Sequence, residues 1–84
     1  MAHHRIPTTA EFERLGSNQW AVLDAHREAL LLEIDGLESG LIRSINGRSP
    51  GYHLKNARVR YRRLEALAKA FGFKMDDRGV YVAA

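Results

Sequence analysis

The stretch from Ser49 to Phe71, SPGYHLKNARVRYRRLEALAKAF, constrains this chain more than any other. Ser49 is a good helix N-cap, and Pro50 suits the first helical position, where a missing N–H costs nothing. Apolar residues recur at Leu54, Ala57, Tyr61, Leu64, Ala68 and Phe71, alternating steps of three and four that draw one buried stripe. Gly72 is placed to end the helix in the left-handed conformation. The opposite face carries Tyr52, Lys55, Asn56, Val59, Arg62, Arg63, Ala66 and Lys69, with Arg58 and Arg60 at its flanks. No acid interrupts Lys55–Arg63, whereas a merely solvated helix mixes Glu with its cations in i,i+4 pairs. Such a face is suited to meet something negative and continuous.

Charge segregates along the chain. Residues 1–40 hold three arginines against seven acids, and residues 41–84 hold ten Lys/Arg against three acids. The net charge of +3 hides a basic half, which is an electrostatic footprint for a polyanion. At 84 residues one small domain is expected, with a limited core that a second copy would extend. A hydrophobic content of 45% argues against disorder. The absence of cysteine excludes disulfides and cysteine-based zinc sites. No apolar run reaches membrane-spanning length and no signal-peptide core is present, so a soluble cytoplasmic protein that does not act at a membrane is the expectation.

Residues 1–7 read as a loose arm, and residues 8–84 as the domain. His3 and His4 on that arm make a poor metal site, since structural zinc wants four fixed ligands. Thr8 with Glu11 forms a capping box, so Thr8–Leu15 reads as a short helix closed by Gly16, with Phe12 and Leu15 as anchors. Ser17 is expected to cap a second helix, NQWAVLDAHREALLLEI. Trp20, Leu23, Leu30, Leu31 and Ile34 share one face, while Val22, Ala29 and Leu32 point elsewhere. A helix apolar on more than one side is buried on more than one side, so it is either the central core helix or part of a dimer interface, and a homodimer covering Trp20, Val22 or Leu32 is expected. Arg27 sits inside the main stripe and must snorkel or pair with Asp24 or Glu28. His26 reads as a packing residue. Asp35-Gly36 reads as a break, followed by a third helix over Glu38–Ile45 with Leu41, Ile42 and Ile45 inward and Asn46-Gly47 as its end. After Gly72 the period falls to two. Phe73, Met75, Val80 and Val82 alternate with Lys74 and Tyr81 around Asp76-Asp77-Arg78-Gly79, a hairpin over about 73–82.

Helices, a basic helix and a hairpin, in that order, resemble a winged helix-turn-helix. Gln19-Trp20-Ala21-Val22-Leu23 resembles the opening of the first domain helix in MarR-type regulators. Gly47-Arg48-Ser49-Pro50 resembles the turn before a recognition helix, and Arg62-Arg63-Leu64-Glu65 a segment near that helix's end in MarR-type and GntR-type regulators. Arg78-Gly79-Val80-Tyr81-Val82-Ala83 is similar to the return strand of a GntR-type wing. The fold expected is mainly α with a small C-terminal β-hairpin.

What the resemblance implies is double-stranded DNA binding, usually as a dimer. On that reading Tyr52, His53, Lys55, Asn56 and Val59 meet base edges in the major groove. Arg48, Ser49, Arg58, Arg62, Arg63, Lys74 and Arg78 meet phosphates. The function expected is that of a small phage or bacterial transcriptional regulator. The alternative is a small phage-type inhibitor, an anti-defence or host-takeover factor, that grips another protein with the same helix. No Ser/His/Asp order, paired carboxylate, HExxH or Gly-rich phosphate loop is present, so neither an enzyme nor a cofactor is expected.

Overall fold

A computed structural model describes residues 5–40 and 47–83. Their architecture is mainly α: a short helix α1 (Thr9–Glu13), two long helices α2 (Gln19–Glu38) and α3 (Pro50–Ala70), and a hairpin of β1 (Phe73–Met75) and β2 (Tyr81–Ala83). The long helices pack along each other, and the hairpin lies against both. The core joins Phe12 of α1, Leu23 and Leu30 of α2, Leu64, Leu67 and Ala68 of α3, and Tyr81 of β2.

Local chemistry explains the start of each early element. The Thr8 hydroxyl accepts from the Glu11 N–H at 3.2 Å, and the Glu11 carboxylate accepts from the Thr8 N–H at 2.9 Å, completing the expected capping box. Arg5 adds a 3.0 Å ion pair to the same carboxylate. The Arg5 hydrogen bond, followed by those from Thr8, pulls the Glu11 pKa down from 4.5 to about 2. Gly16, in the left-handed region at φ 54°, turns the chain into a single 3₁₀ turn over Gly16–Asn18. That turn runs straight into α2, so the residue before the helix is Asn18, in helical conformation and without a side-chain cap. The cap expected from Ser17 is therefore replaced by a continuous helical entry. The Gln19 side chain instead donates back to the Phe12 carbonyl at 3.1 Å.

Asp35-Gly36 does not break α2, which continues through both residues to Glu38. The physical reason is Leu37, which is buried and extends the stripe of Leu23, Leu30 and Ile34. Burying a leucine gains about 1.5–3 kcal/mol, against about 1 kcal/mol for a glycine in a helix interior. The chain leaves the helix later, with Gly40 at φ 81°. A third helix therefore does not begin at Glu38. The rest of that expectation, with Leu41, Ile42, Ile45 and Asn46, lies outside the described residues. Leu31 is exposed, being 100° around the helix from the buried Leu30. Arg27 pairs with Asp24 at 2.8 Å, which raises its pKa and resolves its place in the stripe.

Helix α3 begins as its sequence dictates: Ser49 is extended at ψ 155°, its hydroxyl accepts from the Tyr52 N–H at 3.3 Å, and Pro50 opens the first turn. Gly72, at φ 83°, ends it. The hairpin pairs Phe73 with Ala83, Lys74 with Val82 and Met75 with Tyr81. Its turn is organised by Asp76, whose carboxylate accepts from the N–H groups of Arg78 and Val80 at 2.9 and 3.0 Å. The bond from Val80, then those from Arg78, hold its pKa below 3.8. Cross-strand partners share a face, so this register sends Tyr81 inward with Phe73 and leaves Val82 beside the exposed Lys74. The alternation expected for β2, with Val82 inward and Tyr81 outward, is thus reversed. Tyr81 is the larger apolar body, and the Trp20 indole N–H donates to its main-chain carbonyl.

Candidate nucleic-acid interface

The rotation of α3 about its axis decides what it can offer. Buried residues are His53, Ala57, Leu64, Leu67 and Ala68, with Leu54, Tyr61 and Phe71 only half-buried. Ala57, Leu64 and Ala68 of the expected stripe are buried, Tyr61 and Phe71 pack against the core, and His53 and Leu67 are buried beside them; on the flank facing α2, Arg60 pairs with Glu33 across the two helices. That ion pair is mostly shielded and ties the middle of both helices together.

Of the base-reading candidates, His53 is the buried one: it is 6% exposed, its ring lies edge-on to Tyr52 at 5.4 Å, and it lines a small groove with Asn56 and Val59. The other four are placed differently. Tyr52, Lys55 and Asn56 are exposed, and Val59 is half-buried. The Arg48 guanidinium stacks over the Tyr52 ring, 4.5 Å from its centre, which joins the turn before α3 to its first exposed aromatic.

Among the phosphate candidates, Arg48, Arg62, Arg63 and Lys74 are exposed and in no ion pair with a described residue. Ser49 is exposed, with its hydroxyl oxygen engaged in capping. Arg58 lies 3.7 Å from Glu38, and both side chains are about half exposed, so this pair yields readily to another anion. Arg78 stands at the hairpin tip, 80% exposed, with its guanidinium on Asp76 at 3.0 and 3.2 Å. Lys74 stands on the hairpin's outer face, opposite Val82.

Lys69 completes the face although it was not a candidate. Lys55, Arg62 and Lys69 are seven residues apart, two turns each, and all three are exposed. The spacing is visible in the sequence, but Lys69 falls after Glu65, where the run of unbroken cations has ended. Beside this line run two adjoining grooves. The larger, of about 620 Å³, separates Ile6–Thr9 from the Arg63–Ala70 side of α3. The smaller, of about 290 Å³, lies over Asn56 and Val59, and both grooves include Arg60 and Arg63.

Chemically the face holds cations, one amide, one aromatic ring and small apolar groups, a set suited to holding an anion. Among the described residues no cluster of three His, Asp or Glu is placed to hold a metal, and no helix is long and apolar enough to cross a membrane. Compared with protein-family models, curated proteins and solved structures, the chain matches none.

Proposed function

We propose that this chain binds double-stranded DNA through the outer face of α3, with the hairpin as a wing, as a small regulator of the winged helix-turn-helix kind. The observation that carries this reading is a sorting of cations. Arg5, Arg27, Arg58, Arg60 and Arg78 each have an acid partner, and four of them lie off the outer face or at the hairpin tip. Arg48, Lys55, Arg62, Arg63, Lys69 and Lys74 are exposed and have no ion pair with a described residue, and of the other described cations only Arg14, at the end of α1, shares this. Cations kept without internal partners along one helix and the adjacent strand suit a regular row of phosphates. Asn56 and Tyr52, between them, are the base-reading groups of this proposal; an asparagine can bond adenine with both amide atoms. The test is a binding titration on duplex DNA across salt concentrations, which reports the number of phosphates neutralised.

One observation favours a second reading, in which a protein is the target. The larger groove beside α3 is floored by Ile6, Pro7, Leu67 and Ala70, an apolar strip that a phosphate backbone does not need. A protein target predicts binding that survives Arg62→Ala and fails with Ala70→Glu, an exposed position. A DNA target predicts the reverse for Arg62→Ala and Ala70→Glu.

A further inference from the structure

The outward faces of α2 and α3 carry the same spacing with opposite charge. On α2, Glu28, Leu32 and Asp35 stand four and three residues apart. On α3, Lys55, Val59 and Arg62 stand four and three residues apart. Both triplets therefore run about 10.5 Å along one face of a straight helix, with the apolar residue between the charges. Glu28, Asp35, Lys55 and Arg62 are exposed and in no ion pair with a described residue. Leu32 is 73% exposed, the most exposed large hydrophobic side chain among the described residues, and Ala29, Ala25 and Ala21, one, two and three turns before it on the same side, are small enough for another helix to approach closely. The two helices pack on each other, so these triplets lie on the sides away from the shared core.

We propose that the acidic face of α2 docks the basic face of α3 of a second copy, giving a head-to-tail association of this chain. A two-fold dimer through α2 would set Glu28 and Asp35 of one copy against those of the other, and one through α3 would set cations against cations. Only the α2-to-α3 pairing neutralises both faces, and it does so in either chain direction because each triplet sets one charge about a turn to either side of Leu32 or Val59. Each copy then offers one unsatisfied face of each sign, so the contact is heterologous and does not close at two. This association goes beyond the DNA reading and does not depend on it. Where α3 also binds DNA as proposed above, duplex DNA and a neighbour's α2 compete for Lys55 and Arg62, and self-association holds back that face until a polyanion displaces it.

Sedimentation of the full chain, without nucleic acid, tests this. At about 0.01 M salt, where charges act over ~30 Å, the average mass is expected to rise with protein concentration beyond a dimer. At about 1 M salt, where they act over ~3 Å, it is expected to fall to that of the monomer. Glu28→Lys with Asp35→Lys makes both faces basic, and Lys55→Glu with Arg62→Glu makes both acidic. Each variant alone is expected to be monomeric, and an equal mixture of the two to associate again. All four positions are exposed, and circular dichroism of each variant checks that the helices persist. A wild-type chain that stays monomeric at low salt overturns the proposal. So does a closed dimer, or a mixture of the two variants that fails to associate. Because no DNA is present, these failures leave the DNA reading standing, and loss of DNA binding alone leaves this proposal standing.

Discussion

The indole N–H of Trp20 donates to the main-chain carbonyl of Tyr81, tying the first turn of α2 to the return strand of the hairpin. Two residues sixty-one positions apart thereby fix the angle at which the hairpin leaves the helical core. Tyr81 seals the arrangement from below: its ring is buried between α2 and α3 while its backbone takes the indole.

Trp20→Phe should remove this bond and keep most of the ring. The expected cost is about 0.5–1.5 kcal/mol, the net worth of a typical intramolecular hydrogen bond. Urea denaturation measures it, and amide exchange in residues 73–83 should quicken more than in α3. Equal exchange throughout would show that the hairpin is held by Phe73 and Tyr81 alone.

Tyr81 carries a second expectation. Its hydroxyl is buried with no partner among the described residues, and burial pushes its pKa up from 10 to about 12. An unsatisfied buried hydroxyl costs about 1–3 kcal/mol, so Tyr81→Phe should be neutral or stabilising. In the wild type the unfolded chain loses the phenol proton near pH 10 while the folded chain keeps it to about 12. Stability should therefore fall as pH rises from 10 to 12, and Tyr81→Phe should flatten that limb. A destabilised Tyr81→Phe would mean that the hydroxyl makes a bond worth keeping.

Glu11 sets the acid side. Its carboxylate is depressed to about pH 2 from 4.5, so the stability it adds is complete above 4.5 and is lost as pH falls through about 2. Urea midpoints between about pH 5 and pH 2.5 should fall more steeply in the wild type than in Glu11→Gln. Identical slopes would show that the capping box and the Arg5 pair are absent in solution.

What was legible in the sequence was mostly local. The Thr8–Glu11 box, the Ser49-Pro50 start, Gly72 and the Asp76–Gly79 turn are each written within five residues, and each forms. Features set by a distant partner were not legible in this way. Gly36 stays helical because Leu37 finds a core that no neighbouring residue announces. His53 is buried and Leu54 only half-buried where α3 packs along α2, and Arg60 finds Glu33, twenty-seven residues earlier, as a partner that no local pattern announces. The exposed cations were legible as a class, Lys69 on the outer face among them, since a run without acids and a helical spacing are local patterns.

The core and the outward face of α2 should respond differently to the same substitution. Leu23 is fully buried, and Leu23→Ala should cost about 2–5 kcal/mol by leaving a cavity. Leu32→Ala, on the exposed side of the same helix, should change monomer stability by no more than about 0.5 kcal/mol. Thermal melts at high salt, where self-association is suppressed, make the comparison.

Base reading and phosphate contact should separate on α3. Asn56→Ala is expected to cost about 1–3 kcal/mol on a preferred duplex and little on random sequence. Arg63→Ala should weaken both alike and make the salt slope shallower by about one. Neither residue is buried, so melting temperatures should hold.

The most direct test of the α3 face is the salt dependence of its affinity for duplex DNA. With four or five of the exposed cations on phosphates, log affinity against log salt should fall with a slope of roughly −4 per protomer, at ~0.9 per phosphate. In Arg62→Ala with Arg63→Ala the slope should shrink to about −2. A flat salt response, or a slope unchanged in that variant, would contradict a DNA-binding role for α3.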